Sequence, residues 1–353
     1  MSIQNLKEKL RDNSAALIIS EENRSYFTGF RASDGFLIVT KNRSVFITDS
    51  RYIEAAEHEI TDCEVVLQSK VFEQINDILH EQKVAEVLIE AGYMSVLKAA
   101  QYKEALSGFG FNYTNELEKY IAELRIIKTQ EEKETILCAQ RIAERAFDKV
   151  LHMVKPGVTE RDIAAEMEYI MRKEGADGVS FDTIVVTGVN SSKPHGVPGD
   201  TPVASGDFVT MDFGALYRGY HSDTTRTVAV GNVSPEQVNV YDIVLKAQLA
   251  GVNALKAGID AKAADAVCRE IISDAGYGEY FGHGTGHGVG VEIHEAPSLS
   301  PRSDEKLMAG NVVTIEPGIY LPGKFGVRIE DMLYVTEGGA ENLVTLPKEL
   351  ITL

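Results

Sequence analysis

The chain has 353 residues, 44% apolar and 25% charged, with a formal net charge of −18. That length predicts two domains, and the composition is that of a folded globular protein. A field so negative repels nucleic acid and anionic membrane, which excludes functions built on binding either.

Residues 1–10 show a helical period and lack the apolar stretch of a secretion signal, and no apolar run is long enough to span a bilayer. Cys63, Cys138 and Cys268 are widely spaced and odd in number. They form no disulfide or metal framework and fit a reducing cytoplasm. The first ~120 residues then alternate short apolar runs with helical stretches. Strands are predicted at 15–20, 36–40, 45–49, 64–68 and 86–90, and helices at 2–11, 71–81, 95–107 and 116–126. This is an α/β domain without a catalytic cluster. Gly29-Phe30 and 49–52 read as turns.

A boundary follows. Thr129-Gln130-Glu131-Glu132 is a capping box opening a helix to about Met153, which Lys155-Pro156-Gly157 ends. Thr159 caps a second helix, 160–174. Ser234-Pro235-Glu236-Gln237 opens another helix to about Leu255, and Asp260 caps one ending near Gly276. Lys-Pro-Gly-Val-Thr at 155–159 thus answers Lys-Ala-Gly-Ile-Asp at 256–260, about a hundred residues later. The chain reads as an internal duplication: two helices, strands and a hairpin, twice.

Each predicted hairpin carries two carboxylates. Strands 208–214 and 220–230 flank Tyr217-Arg218-Gly219, and a turn centred between Tyr217 and Arg218 sets Asp212 opposite Asp223. Strands 312–320 and 327–335 flank Pro322-Gly323-Lys324, and a turn centred on Gly323 sets Glu316 opposite Glu330. Directly opposed like charges destabilise a sheet, so two such pairs ask for a cation. Between the hairpins, 283–294 holds three of the eight histidines among glycines, which argues for irregular strand or loop rather than helix. Four carboxylates and one imidazole are a mostly hard donor set, suited to Mn²⁺ or a similar ion, and four negative charges balance two divalent cations. Duplicated halves meeting face to face would bring both pairs to one centre.

At this point a family resemblance is visible. In order, the motifs are Ser180-Phe181 through Gly188, Asn190 and Pro194-His195-Gly196-Val197-Pro198; Asp212-Phe213-Gly214; Asp223-Thr224-Thr225-Arg226-Thr227; His283-Gly284-Thr285-Gly286-His287-Gly288; Ile293-His294-Glu295-Ala296-Pro297; Thr314-Ile315-Glu316-Pro317-Gly318; and 326–331. The chain resembles the pita-bread dinuclear metallopeptidases, and among them the Xaa-Pro peptidases, aminopeptidase P and prolidase. The resemblance implies an α/β (α+β) fold, with a creatinase-type N-terminal domain at 1–124 and a pita-bread catalytic domain at 125–353 with pseudo-twofold duplication. It implies that Asp212, Asp223, His287, Glu316 and Glu330 hold two divalent ions, Mn²⁺ first, with Co²⁺ and Zn²⁺ compatible. It also implies that His294 stabilises the tetrahedral intermediate, that His195 contacts substrate near the scissile carbonyl and that His283 lies beside the proline pocket. Arg328 is similar to an arginine beside the metals, and either touches substrate or balances charge.

The expected reaction is removal of the residue before proline, from peptides or Xaa-Pro dipeptides, by a metal-bridging hydroxide with Glu316 as general base and then acid. Two alternatives stand beside it: methionine aminopeptidase, and a non-catalytic binding protein of the same fold. Ser298 and Arg302 are candidates for choosing between dipeptides and longer peptides. The resemblance further implies a cytoplasmic homodimer in which the N-terminal domain partly closes the partner's site. His221, His58, His80, His152, Tyr217, Tyr220 and Tyr320 are read as structural or surface residues.

Overall fold

The structure, a computed structural model, describes residues 3–353. Met1 and Ser2, where the first predicted helix begins, lie outside the described residues. The chain forms two compact units, Met1–Arg125 and Ile126–Leu353.

The first unit contains α1 (Ile3–Lys9), β1 (Ser14–Ile18), α2 (Glu21–Thr28), β2 (Phe36–Thr40), β3 (Ser44–Thr48), α3 (Ile53–Glu59), β4 (Glu64–Leu67), α4 (Val71–Glu81), β5 (Glu86–Ile89), α5 (Val96–Ala105), β6 (Gly110–Asn112) and α6 (Glu116–Arg125). Its six strands form one sheet in the order β4-β3-β2-β1-β5-β6. The β3–β4, β1–β5 and β5–β6 pairs are parallel and the β1–β2 and β2–β3 pairs antiparallel. β1 is buried at every position, as expected of a central strand covered on both faces.

Sequence reading missed α2, α3 and β6. For α2 the reason is local. Ser20, taken as the end of a strand, is the N-cap: its hydroxyl accepts from the Asn23 amide. Gly29 closes that helix at φ +71°, a left-handed position that favours glycine.

The second unit opens with α7 (Gln130–Leu151), α8 (Glu160–Lys173), β7 (Gly178–Val179), β8 (Ile184–Thr187), β9 (Phe208–Phe213), β10 (Ala215–Tyr217), β11 (Tyr220–His221) and β12 (Thr224–Ala229). It continues with α9 (Pro235–Ala254), α10 (Ala261–Asp274), β13 (Gly286–Gly288), β14 (Glu295–Leu299), β15 (Val312–Ile315), β16 (Gly318–Leu321), β17 (Phe325–Arg328), β18 (Asp331–Val335) and β19 (Ala340–Asn342). The capping boxes at Thr129 and Ser234 are formed as the sequence predicts. Thr159 forms a further one with Asp162. Asp260 sits at an N-cap but makes no side-chain cap bond.

The repeat has a physical counterpart in two cores. One packs Phe147, Met167, Met211 and Phe213, with the Phe147 and Phe213 rings stacked at 5.4 Å. The other packs Tyr241, Val244, Cys268 and Ile315. In β9, Met211 and Phe213 belong to the first core, so alternation turns Asp212 to the opposite face.

Both hairpins are interrupted near their carboxylates, where the sequence predicts continuous strands. Gly214 separates β9 from β10, and Ser222-Asp223 separates β11 from β12. Glu316-Pro317 separates β15 from β16, and Ile329-Glu330 separates β17 from β18. The second register is as predicted: Ile315 faces Asp331 and Gly318 faces Arg328, which brackets a Glu316–Glu330 pair. The first is displaced by two residues. Tyr217 faces Tyr220, and Asp212 faces Thr225 rather than Asp223. The tight turn is Arg218-Gly219, at φ +48° and +78°, not one centred a residue earlier.

Candidate metal centre

Asp212 is held on β9, Asp223 in the break before β12, Glu316 after β15 and Glu330 before β18. His287 is the middle residue of β13, which pairs with both β14 and β15. Ligand atoms of Asp223, His287 and Glu330 lie within 4.8 Å of one another. His287 Nε2 is 3.5 Å from Asp223 Oδ2 and 3.3 Å from Glu316 Oε1. Asp212 joins through Arg328, whose Nη2 donates to Asp212 Oδ2 at 2.6 Å and whose Nε donates to Thr225 Oγ1 at 3.0 Å. The Thr225 hydroxyl donates in turn to Glu330 Oε2 at 2.7 Å.

The electrostatics are those of a cluster short of positive charge. Burial, then the neighbouring Glu330, Asp212 and Glu316 carboxylates, push the Asp223 carboxyl well above its ordinary value. Glu330 rises for the same reasons, burial first and then Glu316 and Asp212. Burial pushes Glu316 up to about 8, against the lowering influence of Arg328. Burial, and secondarily His294, lowers His287 to about 4, so its imidazole is neutral at physiological pH. Nδ1 of His287 lies 3.1 Å from the Gly288 carbonyl, which only accepts. That contact assigns the proton to Nδ1 and leaves the Nε2 lone pair facing carboxylates.

These residues fit a pair of divalent cations. Oδ1 of Asp212 is buried and has no hydrogen-bond partner. Asp182, Asp212, Asp223, Glu316 and Glu330 line one cavity of about 430 Å³, and Arg328 is the cationic side chain among its lining residues. A neutral imidazole pointing its lone pair at carboxylates is stable when a cation lies between them.

The remaining predicted residues gather at the same cavity. His195, His283, His294 and Ser298 line it, while Arg302 is exposed and is not among its lining residues. His195 and His294 are exposed, and the His294 ring packs edge-on against His287 at 4.3 Å. Beside His294, Glu295 forms a buried ion pair with Lys128. His283 is engaged at both nitrogens, with Nδ1 2.8 Å from the Gly284 carbonyl and Nε2 2.9 Å from the Tyr320 hydroxyl. Burial, then Arg328, lowers it to about 4. Arg328 also donates to the Tyr320 hydroxyl at 2.8 Å and to the Pro194 carbonyl at 3.2 Å. The guanidinium is therefore committed on all three nitrogens, which favours the charge-balancing reading over a substrate contact.

Sequence reasoning missed three residues here. Tyr320, read as packing, places its hydroxyl between Arg328 and His283. Thr225 and Thr314 bond carboxylates of the cluster, Thr314 Oγ1 donating to Glu316 Oε1 at 3.3 Å. Their signal was present: each lies two positions from a carboxylate, on the same strand face. His221 accords with its structural reading, its Nδ1 lying 2.9 Å from Ser180 Oγ, and His58, His80 and His152 are exposed.

Comparison with known proteins agrees with this geometry. Residues 134–337 match metallopeptidase family M24, and residues 3–127 match the creatinase/prolidase N-terminal domain. The chain is 39% identical over 352 residues to a Xaa-Pro dipeptidase of Pyrococcus furiosus, covering 99% of each. A solved Xaa-Pro dipeptidase from Bacillus anthracis superposes with a TM-score of 0.95 at 42% identity, covering 99% of both chains. An X-Pro aminopeptidase from Thermotoga maritima does so at 0.92 and 39% identity, covering 99% of this chain and 100% of that one. The protein belongs to metallopeptidase family M24, with a creatinase-type domain preceding the catalytic one.

Proposed function

We propose that this metallo-exopeptidase hydrolyses the bond between an N-terminal residue and proline, in Xaa-Pro dipeptides or longer peptides. The observation that carries the proposal is the set of four buried or half-buried carboxylates lining one cavity with a neutral His287 and three further histidines. Relatives named for Xaa-Pro cleavage, at 39–42% identity over nearly the whole chain, support this substrate class. No finding favours methionine removal or a non-catalytic role.

Asp212, Asp223, His287, Glu316 and Glu330 are the proposed metal ligands. Bound there, a divalent pair supplies Lewis acidity, lowering the pKa of water and polarising a carbonyl. The chain's own residues do the rest. Glu316 accepts a proton from the attacking water and delivers it to the leaving nitrogen. That nitrogen is tertiary before cleavage, carries no hydrogen and must be protonated to leave. His294 and His195, exposed at the cavity wall, donate to the carbonyl oxygen as charge develops on it; such a donor contributes roughly 3 kcal/mol. His283, with both nitrogens engaged, offers a ring face against which proline packs. Arg328 holds Asp212 in place.

Mn²⁺ is the proposed metal, since the donors are oxygen-rich and hard. We place the domain boundary between 124 and 125. A second copy of the chain is the proposed partner, supported by exposed Tyr93, Val96 and Leu97 on the N-terminal domain. Three free cysteines and the net charge of −18 accord with a cytoplasmic setting apart from nucleic acid and membrane. No helix of the described residues is long and apolar enough to cross a membrane.

The test is hydrolysis of a Gly-Pro dipeptide and a Xaa-Pro-Xaa tripeptide by Mn²⁺-loaded and chelated protein. Cleavage of either that disappears on chelation and returns with Mn²⁺ is expected. Well-metallated protein that cleaves neither refutes the proposal.

A further inference from the structure

His195 reaches the cavity from the irregular segment between β8 and β9, and a single side chain outside the metal centre gathers both ends of its loop. Glu160, the first residue of α8, is fully buried. Its Oε1 accepts from the Thr187 amide at 2.8 Å and from Asn190 Nδ2 at 3.0 Å. Its Oε2 accepts from the Gly199 amide at 3.0 Å. Thr187 ends β8, Asn190 lies in the 3₁₀ turn Gly188–Ser192, and Gly199 follows Pro198 on the way back. One carboxylate therefore ties the outgoing strand, the turn and the return across residues 188–199.

Among the described residues no cation pairs with it. Its charge is met by three N–H donors and by the positive end of the α8 dipole. Backbone bonds reinforce the clamp from the same helix start: the Glu160 amide donates to the Thr201 carbonyl and the Arg161 amide to the Gly199 carbonyl. On the other side Ser191 Oγ accepts from the Gly326 amide at 2.8 Å, and Arg328 Nη1 reaches the Pro194 carbonyl. Between these anchors His195 and Val197 are exposed. Fixing the two ends of the loop is what holds an exposed imidazole in one place.

We propose that Glu160 is a positioning residue for the reaction, acting through the loop that presents His195; this rests on the reading of His195 as a substrate contact. Glu160→Gln keeps the shape but turns an N–H donor toward one of the three N–H donors. The loop loses an anchor while the five proposed ligands keep theirs.

The experiment compares wild type, E160Q, H195A and E160Q/H195A as Mn²⁺-loaded full-length protein. It measures bound metal, kcat/KM on a Xaa-Pro-Xaa tripeptide, and amide hydrogen exchange across 188–199. E160Q is expected to keep its metal, to lower kcat/KM by up to about 10²-fold, and to speed exchange within 188–199. In the H195A background it should change kcat/KM by less than about twofold, because the group it positions is gone. Asn190→Ala removes one donor without misplacing another. It should move both readouts in the same direction by less, and it serves if E160Q fails to fold. Unchanged exchange of 188–199 in both variants, or a loss in E160Q/H195A equal to the product of the single losses, overturns the proposal. The exchange arm needs no role for His195. An H195A enzyme with undiminished kcat/KM therefore refutes the substrate contact separately from the clamp.

Discussion

Both carboxylate hairpins follow from one pattern in the sequence, and the structure treats them differently. In the second, Glu316 and Glu330 stand opposite as predicted. In the first, the turn falls at Arg218-Gly219 and Asp212 faces Thr225. The error was two residues, an even number, so Asp223 stays on the same face as Asp212 and becomes a diagonal neighbour. A one-residue error would have sent one carboxylate into the core of Phe147 and Phe213. Strand periodicity therefore protects inferences about faces even where turn geometry defeats inferences about partners. Both hairpins carry carboxyls raised above their ordinary range, Asp223 in the first and Glu316 and Glu330 in the second.

The comparison can be broken at the first carboxylate of each hairpin. Asp212→Asn and Glu316→Gln should both weaken metal binding. At saturating Mn²⁺, only E316Q also removes the proposed proton carrier, so its kcat should stay lower by a further 10²–10⁴-fold, roughly. Equal kcat in the two loaded variants would show that Glu316 is a ligand and nothing more.

Metal removal tests whether both hairpins share one charge deficit. In the metal-free protein Asp223, Glu330 and Glu316 have raised pKa values, Glu316 to about 8. Between the ordinary carboxylate value, near ~4, and those raised values, the native state binds more protons than the unfolded one, so stability falls as pH rises. Bound cations remove that penalty and add about 4 kcal/mol at a thousandfold excess over Kd. The gap in Tm between loaded and chelated protein should therefore widen from pH 5 to pH 8. A gap that narrows over that range contradicts the account.

The supporting threonines sharpen the contrast. Thr225 bonds Glu330 at 2.7 Å and accepts from the Arg328 guanidinium, whereas Thr314 bonds Glu316 at 3.3 Å and accepts from the His287 amide at 3.0 Å. Replacing such a partner costs roughly 10–100-fold in metal affinity. T225V should fall at the upper end and T314V at the lower, by Mn²⁺ titration. The reverse order would mean that hydrogen-bond length is not what ranks them. Smallest of all is Gly323→Ala in the second turn, at φ +73° with open space around the new methyl. Only backbone strain of about 1 kcal/mol is expected, in chemical denaturation, with kcat/KM unchanged.

Much of the catalytic unit was legible because its signals are local. Capping boxes at Thr129 and Ser234 mark helix starts through side chains three residues apart. Carboxylates and glycine-flanked histidines stand out against apolar strands. What escaped depends on distant partners. Nothing in the sequence around Tyr320 says that its hydroxyl meets Arg328 and His283, since the first contact forms only when β16 pairs with β17 and the second only when the segment before β13 reaches β16. Glu160 reads as an ordinary first-turn acid until the segment ending at Gly199 folds back over it. In the N-terminal domain, by contrast, α2 escaped for a local reason: Ser20 can end a strand or cap a helix, and only its bond from the Asn23 amide decides.

Four carboxylates and His287 are proposed to hold two cations whose presence makes Glu316 competent. The most direct measurement is Mn²⁺ bound per chain by equilibrium dialysis, with Xaa-Pro hydrolysis followed across the same titration. Two equivalents bound, with hydrolysis absent from metal-free protein and rising as they fill, is the predicted result. Full hydrolysis in chelated protein, or saturation without a second equivalent, would contradict it.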